Sequence, residues 1–328
     1  MNCAYGGGGP PQNTDISGIG VRVSFYLQTL FLSCLSARAG SLEEIKSALY
    51  TLLFTNTAMA VTALILGLKP QPEISFHDAL VVLYLLYLSW VTVYFSLPAC
   101  ARFDGTVKLL QVFSIIQSYT VFAFAFAVLI TAPSFGFPSD CNQNASVVLF
   151  RPFNALKAGR PVGWVVTGIV VTVYTAVLIR DHLPQAHNAI LQWIRRRVTK
   201  EVPATGPGLP MDESPTSLPQ RRPQATLIQN KVQYNSRRTA EIPKEYDLQI
   251  AWNIVINIAF VLVLWALTVM NTELLIRWNH FAPNDTLQSS WQFGQVLPMF
   301  LIVLPLANLI TAFREFGLRP QVTAKSMV

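Results

Sequence analysis

Few side chains in this sequence have the type and spacing that chemistry requires, and most of them stand in apolar surroundings. Arg22, Tyr26, Thr29 and Ser33 recur at i, i+4, i+7 and i+11, which places all four on one face of a helix. A cation inside an apolar run must be paired or must snorkel to the headgroups, so Arg22 is the first functional candidate. His77 and Asp78 stand together at the start of another apolar run. Asp78 is the carboxylate expected to pair with Arg22, and His77 adds a proton-sensitive group beside it. Tyr84, Tyr87 and Tyr94 follow on neighbouring positions of one helix face, as a cavity lining or an aromatic seam. Arg22, Tyr26, His77, Asp78, Tyr84 and Tyr87 are therefore the expected ligand-cavity residues.

Other polar groups invite less chemistry. Asn253, Asn257, Asn308, Gln111 and Gln117 interrupt apolar segments, where amides usually join helices and contact a substrate less often. His280 and Asp285 form an H-x4-D pair like that of some acyltransferases, but Asp285 lies inside a glycosylation triplet and chance accounts for the spacing. There is no HExxH, no GxSxG and no phosphate loop, so an enzyme is not expected. The four cysteines, Cys3, Cys34, Cys100 and Cys141, form no CxxC and share no ligand spacing with the histidines. Neither a metal nor a cofactor is expected.

The elements that must hold these residues are membrane spans. Of 328 residues, 52% are hydrophobic and only 12% charged, with a mean hydropathy of +0.40. Too little charge remains to coat a soluble surface. Runs such as SALYTLLFTNTAMAVTALILGL and ALVVLYLLYLSWVTVYFSLPACA are free of charge and long enough to cross ~30 Å of hydrocarbon. Seven such segments are found, so the expected fold is an all-α polytopic membrane protein of seven transmembrane helices. In the first segment, extension past Arg38 meets Gly40 and the capping sequence Ser41–Glu44, so the helix must extend the other way, through Arg22 to about Ser17. Pro298 and Pro305 are expected to kink the seventh.

Orientation follows from the basic residues. With the N-terminus outside and the C-terminus inside, Arg38, Lys46, Arg102, Lys108, the cluster from Arg180 to Lys244, and Arg314, Arg319 and Lys325 all fall on the inner side. The triplets at Asn144 and Asn284 then lie in outer loops, as N-glycosylation needs. Cys3 and Cys141 share that oxidising side, where a disulfide between them is one outcome and two free thiols the other. The net charge of +7 is thus a topology signal, and no nucleic-acid partner is expected. No basic stretch precedes the first span, so no cleavable signal peptide is expected, and the location is the plasma membrane or an endomembrane.

The chain accordingly divides into a short exoplasmic tail (1–16), spans one to five (17–180), an inner loop (181–247), spans six and seven (248–316) and a cytosolic tail (317–328). Proline, glutamine, serine and charge dominate the loop, which reads as disordered. Its beginning, NAILQWIRRRV, is amphipathic and suited to anionic inner-leaflet lipids, although such basic clusters also serve simply to stop translocation. A cytosolic protein partner is expected to bind through the same loop.

Seven spans, an outer N-terminus and a long loop between spans five and six resemble the plan of G-protein-coupled receptors. The motifs of that family are missing: ARFDG ends the third span, LWAL in the sixth lacks the following proline, and PLANLI stands in the seventh. The opening DISGIGVRVSFYLQ resembles that of uncharacterised multi-pass membrane proteins of fungi, a likeness that brings no ligand or activity with it. A receptor-like or sensory scaffold ranks first, a transporter or channel for an uncharged or weakly polar solute second, and an acyltransferase-like membrane enzyme a remote third. Against coupled transport, no acid or base lies near the middle of a span; against a retinal pigment, the seventh span has no lysine.

Overall fold

The structure, a computed structural model, describes residues 10, 12–38, 42–101, 108–200, 252–281 and 293–317. Among them are seven helices long and apolar enough to cross a membrane, and the chain is an all-α, multi-pass integral membrane protein. It divides into two compact units, residues 1–175 with 249–328 and residues 176–248. The helix bundle belongs to the first unit.

The first span is built from α1 (Thr14–Ser17) and α2 (Ile19–Arg38). Asn13 caps α1 through its side chain, which accepts from the Asp15 N–H. Gly18 separates the two helices, and a Cβ there would stand 2.0 Å from the Thr14 carbonyl, so no other residue fits this corner. The first span runs Thr14–Arg38 and so extends through Arg22 past Ser17, as expected. Gly20 lets the backbone of α2 approach Gln295, whose Cβ would lie 2.8 Å from an added methyl group.

α3 (Leu42–Leu68), α4 (Phe76–Ala101) and α5 (Lys108–Thr131) pack on one another, and α2 packs on α3 and α4. A reciprocal cap starts α4: the Ser75 hydroxyl accepts from the Asp78 N–H at 3.1 Å, and the Asp78 carboxylate accepts from the Ser75 N–H at 3.1 Å. After α5, residues Ser139–Asn144 form a 3-10 turn. A hairpin that the sequence reading does not contain follows, β1 (Ser146–Leu149) paired antiparallel with β2 (Arg151–Asn154), with Phe150 at the tip at φ 63°. Four-residue strands carry too little alternation to stand out from an apolar chain.

α6 runs from Arg160 to Lys200. Its first residue holds the end of α5, with Arg160 Nε donating to the Leu129 carbonyl at 2.9 Å and Nη2 to that of Ile130 at 3.2 Å. The assignment of 181–247 to a disordered loop is corrected at its start, because Asp181–Lys200 continues α6 as helix. The amphipathic stretch NAILQWIRRRV, read from the sequence at the beginning of the loop, lies within this continuation. The rest of that loop lies outside the described residues.

α7 (Trp252–Asn279) is followed by α8 (Phe293–Leu301) and α9 (Val303–Phe316), which together make the seventh span. The break falls at Ile302, whose N–H bonds to Met299. Pro305 has no N–H to offer the Leu301 carbonyl, which is where the regular ladder is interrupted.

α2 is the centre of the bundle. It packs against α3, α4, α7, α8 and α9, and 61% of its span is buried, against 6% for the span of α6 and 11% for that of α7. At its end Arg38 is buried and donates through Nε to the carbonyl of Gly317, just beyond α9.

Candidate functional site

Charge and space meet along the contact between α2 and α7. Arg22 Nη1 donates to both carboxylate oxygens of Glu273 at 2.5 Å, and the Tyr26 hydroxyl donates to Glu273 Oε1 at 2.9 Å. Arg22 is 8% exposed, whereas the Glu273 side chain is 48% exposed. The antiparallel course of the two spans brings the group near the start of α2 level with one ~9 Å short of the end of α7. Pairing, with a third bond from tyrosine, is how a cation at this depth is tolerated.

Two turns back toward the start of α7, Trp265 donates through Nε1 to the Tyr26 carbonyl at 2.8 Å. The same indole forms part of the wall of a cavity of about 120 Å³ between α2, α4 and α7. Its wall is largely apolar, with hydroxyls at Ser33, Tyr87, Thr92 and Thr268. Ion pair, tyrosine, indole and cavity therefore form one connected column.

The expected pairing of Arg22 with Asp78 is corrected by this geometry. Asp78 is fully buried and already satisfied: the Ser17 hydroxyl donates to it at 2.5 Å, the Ser75 hydroxyl at 2.7 Å, and the Asn13 N–H at 3.3 Å. It clamps the N-terminal segment to the start of α4. His77 is also buried, but its ring packs edge-on against Phe281 with centroids 6.0 Å apart.

Three tyrosines expected to share one face have separate tasks. The Tyr84 hydroxyl donates to the Val148 carbonyl at 2.6 Å and accepts from the Val148 N–H at 3.3 Å. Tyr87 lines the cavity and bonds Thr167 of α6 at 3.0 Å. Tyr94 joins Trp90, Phe95 and Tyr174 in an aromatic cluster.

The hairpin is held by Tyr84, expected instead at a ligand cavity, and by Asn271 and Asn279, which the sequence reading missed. An antiparallel edge leaves the N–H and C=O of every second residue bare, which hydrocarbon does not permit. Here Ser146 exchanges two bonds with the Asn279 amide at 2.7 and 2.8 Å, Val148 uses Tyr84, and the Phe150 N–H donates to Asn271 Oδ1 at 2.7 Å. Asn271 and Asn279 stand ~12 Å apart along α7, the depth to which the hairpin follows that helix. Their spacing in NTELLIRWN was the available signal, together with Glu273 between them.

The amides fare unequally. Asn308 of α9 donates to the Ser47 hydroxyl of α3 at 3.1 Å and so joins two helices. Gln111 and Asn257 are exposed, which places them away from any helix contact of the glue type. Gln117 is buried, yet neither amide atom has a partner. The side chain of Asn253 lies outside the described residues.

Asn144 is exposed, and Cys141 is buried and disulfide-bonded. Asn284, Asp285 and Cys3 lie outside the described residues. Cys34 is a free thiol. Among the described residues no group of His, Cys, Asp and Glu could hold a metal ion.

No known relative decides what the column does. Comparison with protein-family models, with curated proteins and with solved structures finds no match to this chain. The chemistry of the column is therefore read from its own parts: one exposed carboxylate, one buried cation, and an apolar cavity with four hydroxyls.

Proposed function

We propose that this integral membrane protein is receptor-like, a sensory scaffold in which a small, largely apolar ligand from the bilayer settles between α2, α4 and α7 and displaces α7. One observation carries the reading, the continuity of the column from the Arg22–Glu273 pair through Tyr26 and Trp265 to the cavity. Little of the α7 span is buried, and its contacts are with α2, α4 and the hairpin; a ligand that favours another position of the helix shifts the population.

In this reading the N-terminus and hairpin lie outside and the C-terminus inside, in a plasma membrane or endomembrane, as the basic residues suggest. Segment 181–247 directly precedes α7 in the chain, meets anionic inner-leaflet lipids, and passes the displacement to a cytosolic protein partner. No enzymatic role is proposed, and the likeness to a fungal multi-pass family supports membership without adding a ligand.

A second reading, a transporter or channel for an uncharged or weakly polar solute, is favoured by the buried polar side chains Gln28, Asn56, Ser89 and Gln117. Deletion of residues 201–247 separates the two. A receptor is expected to lose capture of its cytosolic partner and to move no solute. Solute uptake into proteoliposomes that survives the deletion would overturn the receptor reading.

A further inference from the structure

Two separate apolar clusters fill the interior of α2–α5, and polar residues interrupt all four helices where one cluster gives way to the other. Along α2 the first cluster ends at Tyr26 and the second begins at Leu32, with buried Gln28 and Thr29 between them. On α3, Asn56 lies between Leu53 and Ala60; on α4, Ser89 and Thr92 lie between Leu88 and Val93. On α5, Ser114, Gln117 and Ser118 lie between Leu110 and Val121. Because α3, α4 and α5 pack on one another, these gaps fall into one layer across the bundle.

Thr29, Thr92 and Ser118 return their hydroxyls to carbonyls of their own helices. Four side chains do not. Both amide atoms of Asn56 and of Gln117, the hydroxyl of Ser89 and Oε1 of Gln28 have no protein partner, at exposures of 0%, 1%, 0% and 2% respectively. Buried polar groups are almost always satisfied by protein or by ordered water. A helix-joining amide would show a bond to the facing helix, as Gln28 does through Nε2 to the Pro298 carbonyl at 3.4 Å but Asn56 and Gln117 do not.

No member of the layer is charged, which leaves a desolvated ion without a counter-charge. Water fits, because it donates and accepts in equal number and satisfies amide and hydroxyl together. We propose that this layer is a buried hydration site, a small cluster of water bonded to Asn56, Ser89 and Gln117 with Gln28 at its edge. Thr92 belongs both to this layer and to the cavity wall, so the hydrated layer borders the cavity. The proposal rests on packing and burial, and is independent of the receptor reading.

X-ray radiolytic footprinting of the full chain in nanodiscs, in H₂¹⁸O, tests it together with thermal stability. Leu53, beside the layer, should take up label although it is shielded, and the Asn56→Leu, Gln117→Leu double variant should lose that label. Each single variant should lower Tm, and the pair should lose less than the sum. A rise in Tm in the single variants would mean a dry layer and overturn the proposal, as would an unlabelled Leu53, which would indicate direct amide pairing. A Tm that rises with Na⁺ or K⁺ against choline at constant ionic strength would make it a cation site instead. Should the leucine variants fail to fold, the wild-type footprint and Ser89→Ala still decide the matter.

Discussion

Arg22 and Glu273, 251 positions apart in the chain, form a carboxylate–guanidinium pair at 2.5 Å that joins the first span to the sixth. Glu273 is half exposed, so the pair is worth less than a fully buried one, where loss of one partner costs about 3–5 kcal/mol. Arg22→Ala and Glu273→Ala should each destabilise by roughly 1–3 kcal/mol, and the double variant by less than their sum. Asp78→Ala should add to Arg22→Ala without coupling, because Asp78 serves Ser17, Ser75 and Asn13. Thermal melts in nanodiscs of wild type, the three single variants and the two double variants check this. Coupling of Arg22 to Asp78 instead would restore the pairing suggested by sequence.

The hairpin edge gives a second test, at single amides. Tyr84→Phe removes the acceptor of the Val148 N–H, and Asn271→Leu removes that of the Phe150 N–H. Each lost bond is worth about 1 kcal/mol, so exchange at the affected amide should quicken by roughly five-fold, read by hydrogen–deuterium exchange. Exchange that is uniform along β1 in both variants would mean that the strand opens as one unit.

The orientation is tested through Asn144, which is exposed on the turn before the hairpin. If that end faces the lumen, glycosidase should change gel mobility, and Asn144→Gln with Asn284→Gln should abolish the change. The backbone of Ser146 in the Asn144 triplet is bonded to Asn279, so docking of the hairpin fixes the conformation of the triplet, whereas an undocked triplet is free to adopt the one that sugar transfer needs. Asn279→Leu should therefore raise occupancy at Asn144. A C-terminal tag cut by protease added to intact cells would reverse the whole topology.

The cavity yields the fourth expectation. Ser33→Leu adds apolar volume to a largely apolar wall, and should raise stability by up to about 1 kcal/mol while weakening binding of a hydrophobic probe. Trp265 borders the same space and should report occupancy by a change in fluorescence that Trp265→Phe removes. A probe bound equally well by Ser33→Leu would place its site elsewhere.

Membrane embedding, the seven spans and the direction in which the first helix extends were legible in the sequence, because each depends on the local sum of apolar residues along one segment. Arg22 was legible as a group in need of a partner for the same reason. Its partner was not. Asp78 and Glu273 both lie toward the ends of apolar runs, and only packing brought Glu273 of α7 against α2 while Ser17, Ser75 and Asn13 satisfied Asp78. The hairpin depended on Asn271, Asn279 and Tyr84 supplying bonds that its own short strands could not. The polar layer likewise became visible only when residues from four helices were seen to interrupt two apolar clusters at one level. Local composition decides whether a segment enters a bilayer; which polar groups meet there is decided by side chains distant in sequence, to which no local pattern responds.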